Sequence, residues 1–561
     1  MESYLDDYQR AINNKDIELI KQLNEKYLFN EKTDILYELF KDGRLNYKSL
    51  KNLLFLSLED PTTFKFTSNF LGMIIKREDI RSLQLILNNY IYKNDLIKFL
   101  LYKYKYKQCL SNSELKNYYD KEINALNESI NDFETPLIIA CRKGNENIVR
   151  MLIKNGADVN KEDKYGDTPL LEVCGLGNEI FLRFLIENGV DVNKGNEDGS
   201  TPLFGACKNI NENIIRFLIE NGADVNKENK DGNTPLLEVC GIGNEIIVRF
   251  LIENGADVNK GNKYGITPLI YACRKCNENI VKLLIENGSD INKENKYGNT
   301  PLIEACSNYK DNDNIVKLLI EEGVDVNKID RYDNTPLIYA CIYNNENIVR
   351  LLIENGVDVN KEGRYDSPPL IKAIRNGNEN IVRLLIENGA DVNKENKDGN
   401  IPLIYACRNY NENIVRLLIK NGADVNKDNK DGNIPLIEAC INNNENVVRL
   451  LIKNGADVNK KDKNGNTPLI YACGVGNENI VRLLIENGAE VNKENYYGDT
   501  PLIKACICNN ENIVRMLFEN GADVNKENKY GNTPLMEAYK NGNKNIKKHL
   551  IENWSSIHKK N

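Results

Sequence analysis

Histidine is almost missing from this chain: two residues in 561, His549 and His558, both in the tail. Without an imidazole before that tail, Ser-His or Cys-His nucleophile pairs cannot be assembled along nearly the whole length. No stretch of 18 apolar residues occurs, so no membrane span is expected. The opening MESYLDDYQR holds more acid than base, unlike a secretory leader. A basic excess is lacking as well. The formal charge is −8 and the pI near 5.4, with 74 Lys and Arg spread among acids, which argues against a nucleic-acid footprint. Nor is there a Gly-x-x-x-x-Gly-Lys-Ser/Thr phosphate loop. The expectation is a chain that is not an enzyme and needs neither cofactor nor metal.

What the chain does have is repetition. One sentence recurs thirteen times, plainest as GNTPLIYACGVGNENIVRLLIENGAEVNKEN from Gly465 to Asn495. The prolines of its Thr-Pro-Leu core fall at 136, 169, 202, 235, 268, 301, 336, 369, 402, 435, 468, 501 and 534. Eleven of the twelve gaps are 33 residues, and the gap from Pro301 to Pro336 is 35. A fixed period of this size signals a solenoid, in which each unit buries its apolar face against its neighbours. Eleven of the 14 cysteines follow the same beat. Cys141, Cys174, Cys207, Cys240, Cys273, Cys306, Cys341, Cys407, Cys440, Cys473 and Cys506 each stand five residues after a repeat proline. Equivalent residues of stacked helices lie about 10 Å apart, beyond the roughly 7 Å that a disulfide spans. These are expected to be small buried apolar residues, and abundant reduced thiol predicts a cytoplasmic address.

Within the Pro468 unit, Thr467 is a good N-cap and Pro468 suits the first helical position. A short helix follows and ends at Gly474-Val475-Gly476. Asn477 then caps a second helix with Glu478 in its first turn. Ile480, Val481, Leu483, Leu484 and Ile485 form its apolar face, and Gly488 reads as a left-handed stop. Glu490-Val491-Asn492 and the turn at Asn464-Gly465 predict a β-hairpin finger between units.

The succession Gly-x-Thr-Pro-Leu, Asn-Ile-Val-Arg-Leu-Leu-Ile and Asn-Gly-Ala-Asp-Val-Asn closely resembles the ankyrin repeat, over about 430 of the 561 residues. Ankyrin repeats usually carry His after Thr-Pro-Leu, bonded back to the Thr. Here Ile138, Leu171, Phe204, Leu237 and Ile270 replace that link with apolar packing. The resemblance implies an all-α solenoid with short β-hairpin fingers, an ankyrin-repeat superhelix. Residues 131–533 are read as twelve tandem repeats and 534–561 as the thirteenth repeat and C-terminal cap. In that cap Lys547 and His549 replace Val and Leu, and Trp554 takes the slot of the stop glycine. Residues 1–130 lack Thr-Pro-Leu, yet Ala11 to Leu23 and Ile74 to Leu87 match the second-helix register. They are either a diverged ankyrin-like N-terminal cap or a separate helical docking domain. The Tyr102 to Lys107 run, alternately tyrosine and lysine, reads as a solvated helix face.

The array is irregular between Pro301 and Pro369. Two extra residues enter near Tyr309 to Asn312, the finger glycine becomes Asp333 and then Asp366, Thr becomes Pro368 and the buried Cys becomes Ile374. This is either drift or a specialised contact zone. Ankyrin-type stacks bind through hairpin tips and the concave inner-helix face, so residues that vary there are candidate protein-binding residues. Four residues before the proline stand Tyr165, Tyr264, Tyr297, Tyr332, Tyr365, Tyr497 and Tyr530, with Asp198, Asp231, Asp398 and Asp431 in other copies. Three residues after it, Tyr271, Tyr339, Tyr405 and Tyr471 recur at every second repeat. Tyrosine supplies rigid contact area at interfaces. The expected function is a cytoplasmic, monomeric, non-enzymatic scaffold that binds a protein partner, with no nucleic acid and no membrane span. The alternatives are an adaptor that docks machinery such as a ubiquitin ligase through residues 1–130, or a mechanical or membrane-skeleton tether.

Overall fold

The computed structural model describes residues 2–26, 35–59, 68–77, 79–90, 134–309, 312–364 and 367–558. Each repeat is a pair of antiparallel helices followed by a turn. In the Pro468 repeat the Thr467 Oγ accepts from the Ile470 N–H at 3.3 Å, and the helix Pro468–Val475 stops at Gly476 with φ +88°. The Asn477 side chain accepts from the Ile480 N–H at 3.0 Å and opens the helix Glu478–Glu486. Gly488 then leaves it at φ +88° while the Ala489 N–H closes on the Leu484 carbonyl at 3.0 Å. The residues facing the core are fully buried: Leu469, Ala472, Cys473, Ile480, Val481 and Leu484. Each large apolar side chain so buried stabilises the stack by about 1.5–3 kcal/mol.

Two compact units make up the chain, Met1–Ala272 with Leu283–Ser289, and Cys273–Lys282 with Asp290–Asn561. Within each, equivalent helices pack on one another, and three rows of hydrogen bonds link a residue to the next copy. The Asn of Asp-Val-Asn makes the first row: the Asn426 amide donates to the Gly455 carbonyl at 2.9 Å and accepts from the Asp457 N–H at 2.7 Å. The second runs between second helices, as from the Asn479 amide to Glu445 at 2.9 Å. The third joins fingers.

Those fingers depart from the expectation of β-hairpins. Among the described residues no extended strand forms, and bridging is isolated, as between Gly363 and Ser367. The reason is local. The Asn495 N–H reaches the Asp499 carbonyl at 3.0 Å, and the Asn495 side chain accepts from the Tyr497 and Asp499 N–H groups, both at 2.9 Å. One buried side chain thus closes the turn in place of strand pairing.

At the N-terminus the helices are Glu2–Asn14, Ile17–Lys26, Ile35–Lys41, Tyr47–Glu59, Ser68–Lys76 and Ile80–Tyr90. The two register matches each straddle a helix–turn–helix. Lys15 takes the left-handed slot at φ +56°, and the Asp16 and Asp79 carboxylates cap the following helices at 3.0 and 3.1 Å. Ser68–Lys76 packs against Pro136–Lys143, the first helix of the first repeat. The Tyr102 to Lys107 run lies outside the described residues. At the other end, no glycine stops the last helix at Trp554, and it runs on from Lys544 to His558.

Candidate protein-binding surface

The structure separates the two tyrosine sets. In the finger set, the Asn or Asp two places earlier holds the backbone N–H: Asp163 holds Tyr165 at 2.8 Å, Asn262 holds Tyr264 at 3.0 Å, Asn295 holds Tyr297 at 2.8 Å and Asp330 holds Tyr332 at 2.7 Å. Asn495 and Asn528 do the same for Tyr497 and Tyr530 at 2.9 and 3.0 Å. The rings are left outside, between 42% and 72% exposed. Tyr365 lies outside the described residues. Basic neighbours sit over several rings: Lys164 over Tyr165 at 5.4 Å, Lys263 over Tyr264 at 5.2 Å and Arg364 over Tyr332 at 5.0 Å. Asp198, Asp231, Asp398 and Asp431 occupy the same exposed slot in other copies.

The first-helix set is half-buried, and three of its four members turn inward to their own finger. The Tyr339 and Tyr471 hydroxyls donate to Asp330 and Asp462, each at 2.6 Å, and the Tyr405 hydroxyl accepts from the Asn396 amide at 2.9 Å. Burial, and then the bond to Asp462, pushes the Tyr471 hydroxyl up to about 12. The same causes raise Tyr339. Tyr271 packs on Gly241 so closely that a Cβ there would lie 2.4 Å from its Cε1. Tyr339, Tyr405 and Tyr471 thus brace the first helix against the finger.

Neighbouring copies show the same slot served by other chemistry. Glu304 and Glu438 are buried, and each receives a bidentate arginine from the preceding repeat: Arg274 at 2.8 and 2.9 Å, Arg408 at 2.8 and 3.0 Å. Arg142 pairs likewise with Glu172. Asn299 and Asn433 complete the two buried carboxylates at 2.9 and 3.0 Å. Sequence reading missed these pairs, although arginine six residues after one proline and glutamate three after the next is a visible signal. It also missed Tyr496, exposed on a finger beside Tyr497.

Cys273 and Cys276 have Cys-x2-Cys spacing, but Cys273 is a buried core residue. Among the described residues no group of three or more His, Cys, Asp and Glu side chains could hold a metal ion. Burial pushes the core thiols of Cys141, Cys174, Cys240 and Cys306 well up. Such burial disfavours the thiolate that nucleophilic attack and metal ligation require. No helix among the described residues is long and apolar enough to cross a membrane.

A stack of helix pairs tied by finger turns, with its variable residues on the finger tips, defines a tandem helical-repeat protein. A family model of ankyrin repeats in sets of three matches overlapping windows 85–196, 155–229, 203–295, 288–363, 370–462, 413–495, 454–528 and 493–561, and the chain belongs to that family. Among solved structures it is similar to the ankyrin repeat domain of Bcl-3, described as a unique member of the IkappaB protein family. That likeness is 28% identity over 39% of this chain and 98% of the other, with a TM-score of 0.36. No curated protein matches.

Proposed function

We propose that the array is a non-enzymatic protein-binding scaffold whose partner lies across the finger tips and the adjoining first-helix face. Ankyrin repeats generally mediate protein–protein interaction. The observation that carries the finer reading is the finger set: Tyr165, Tyr264, Tyr297, Tyr332, Tyr497 and Tyr530 have their backbones fixed and their rings exposed. A rigid aromatic side chain loses little entropy on binding. Of the first-helix set, Tyr339, Tyr405 and Tyr471 support this surface by bracing the fingers. Every described cysteine is unpaired, which fits a reducing compartment; we place the protein in the cytoplasm as a monomer, engaging neither nucleic acid nor membrane.

The test is site-specific photo-cross-linking from positions 297 and 497 in the full chain, with position 482 on the second-helix face as control. Capture of one partner from both finger positions and not from 482 supports the reading. Equal capture from 482 overturns it.

A further inference from the structure

Across the copies from Pro301 to Pro501, the slot three residues after the proline is served by that copy's own finger, from six or two residues before the proline. Asp330 accepts from the Tyr339 hydroxyl and Asp462 from that of Tyr471, both at 2.6 Å, and the Asn396 amide donates to Tyr405 at 2.9 Å. Asn299 and Asn433 donate to Glu304 and Glu438 at 2.9 and 3.0 Å, and Asp499 pairs with Lys504 at 2.7 Å. The Pro369 copy is the exception. Its slot holds Lys372, while the two finger positions hold Gly363 and Ser367, neither of them an acid or an amide.

A second register lapses at the same place. Arginine six residues after one proline meets glutamate three after the next in Arg142–Glu172, Arg274–Glu304 and Arg408–Glu438. Arg375 stands in that arginine slot, but the following copy offers it Tyr405. Glu362, beside Gly363, is taken by Lys394 at 2.8 Å. Among the described residues, no hydrogen bond or ion pair engages the side chain of Lys372 or Arg375. Lys372 is half-buried and Arg375 exposed, and residues three apart on a helix are neighbours. Burial, and then the Arg375 charge, lowers the Lys372 ammonium from its ordinary value. Two like charges thus share one face without an internal carboxylate, in a chain whose net charge is −8.

We infer that Lys372 and Arg375 together receive an aspartate or glutamate side chain of the partner protein, in place of the acids that serve the equivalent slots from within. This rests on the scaffold reading above and names one chemical element of its partner. The sibling copies select a carboxylate: Lys504 takes Asp499, Arg274 takes Glu304 and Arg408 takes Glu438, one carboxylate to each cation. The two oxygens of such a group accept from a lysine and an arginine at once, and hydrogen bonds between ionised groups are the strong ones. The helix Pro369–Asn376 packs between Pro336–Ile342 and Pro402–Arg408. The incoming acid therefore enters the first-helix face with the Tyr339 copy on one side and the Tyr405 copy on the other.

The probe is a fluorescent peptide of alternating glutamate and serine, titrated into the full chain and read by anisotropy. Lys372→Gln with Arg375→Gln should weaken binding at least about tenfold and leave the thermal midpoint at or above that of the parent. Lys420→Gln with Lys453→Gln, an equal loss of charge on the second helices, should change it less than about twofold. Ser367→Asp gives Lys372 the internal acid that Asp499 gives Lys504. It should weaken the peptide while raising the midpoint, which separates a filled site from an unfolded one. Equal affinity of the Lys372 and Arg375 variant and the parent overturns the proposal, as does an equal loss in the Lys420 and Lys453 variant. Release of the peptide by inorganic phosphate, at an ionic strength where sodium chloride leaves it bound, also overturns it, because the site would then be one for phosphoryl groups. The peptide is read without the partner, so capture from positions 297 and 497 with no peptide binding strikes this inference and leaves the scaffold standing.

Discussion

The fingers of the Pro402 to Pro501 repeats and those of the Pro336 and Pro369 repeats perform the same connection with different reliability. In the regular set each finger is joined to the next by a backbone bond: Lys430 to Asp398 at 3.1 Å, Lys463 to Asp431 at 2.9 Å, Tyr496 to Asn464 at 2.9 Å. This closeness depends on glycine. A Cβ at Gly432, φ +80°, would lie 2.8 Å from the Lys463 nitrogen. In the irregular set Asp333 takes that slot at φ +63°, and the Arg364 N–H goes to the Asn334 side chain at 3.2 Å. Gly363 then stands where other copies have Asn or Asp, because a Cβ there would meet Ile338 at 2.5 Å and Asn334 at 2.6 Å. The Asp-Val-Asn row nevertheless continues unbroken, with Asp358 bonded to Asn327 and Asp391 to Asn360, both at 2.8 Å. One row of links lapses while the next holds, as expected where stability is a sum of neighbour terms.

The largest way to break the comparison is to convert a regular finger. Gly432→Asp forces a side chain into the backbone of the next finger and should cost about 2–3 kcal/mol. Urea unfolding reads the loss, and amide exchange should localise it to the fingers at 429–433 and 462–466. An unchanged midpoint would mean that close approach does not reserve the slot for glycine.

Helix caps offer a smaller contrast. Thr500 accepts from the Ile503 N–H at 3.2 Å, so Thr500→Ala should cost about 1 kcal/mol. The copies at Pro402 and Pro435 have Ile401 and Ile434 instead, without a side-chain cap and fully buried. Ile401→Thr gains a bond and loses apolar burial, so its midpoint should stay within about 0.5 kcal/mol of the parent. The reverse conversion of the irregular finger falls between the two cap changes. Asp333→Gly relieves a left-handed aspartate and should stabilise by about 0.5–1 kcal/mol, with slowed exchange of the Arg364 amide.

The smallest effect concerns pH. The Tyr471 hydroxyl, raised from 10 to about 12 by burial and the Asp462 bond, ionises in the unfolded chain first. Its stabilising share is complete below pH 10 and is lost as pH rises toward 12. Tyr471→Phe should flatten alkaline destabilisation in that window and remove one late-titrating phenol from the ultraviolet spectrum. An unaltered titration curve would show that Tyr471 does not brace its finger.

The caps were legible in the sequence because they are local: Thr467 and Asn477 act on residues three positions away. Burial of the periodic cysteines was legible because the period alone places them in one slot. The tyrosines were legible only as positions. That Tyr471 is committed to Asp462 depends on the fold bringing residues nine apart face to face, whereas Tyr497 differs only in standing on the turn. The Arg408–Glu438 pair spans 30 residues and two copies. The expected β-hairpins failed for a related reason, since the Asn495 side chain satisfies the turn that strands would otherwise have shared.

The Asp-Val-Asn asparagine has a consequence for how such a chain changes length. Its bonds run from one slot to another in the following copy, 29 and 31 residues on, as from Asn393 to Gly422 and Asp424. The copies within the array supply both halves of the joint, the last ending instead at Trp554. Excision or duplication of one whole 33-residue period therefore rejoins like to like, and recombination within the coding sequence can lengthen or shorten the array without designing a new seam. The two residues added near Tyr309 stand between the helices Pro301–Cys306 and Asp313–Glu321, and the joint from Asn292 to Asp325 still closes across them at 3.2 Å.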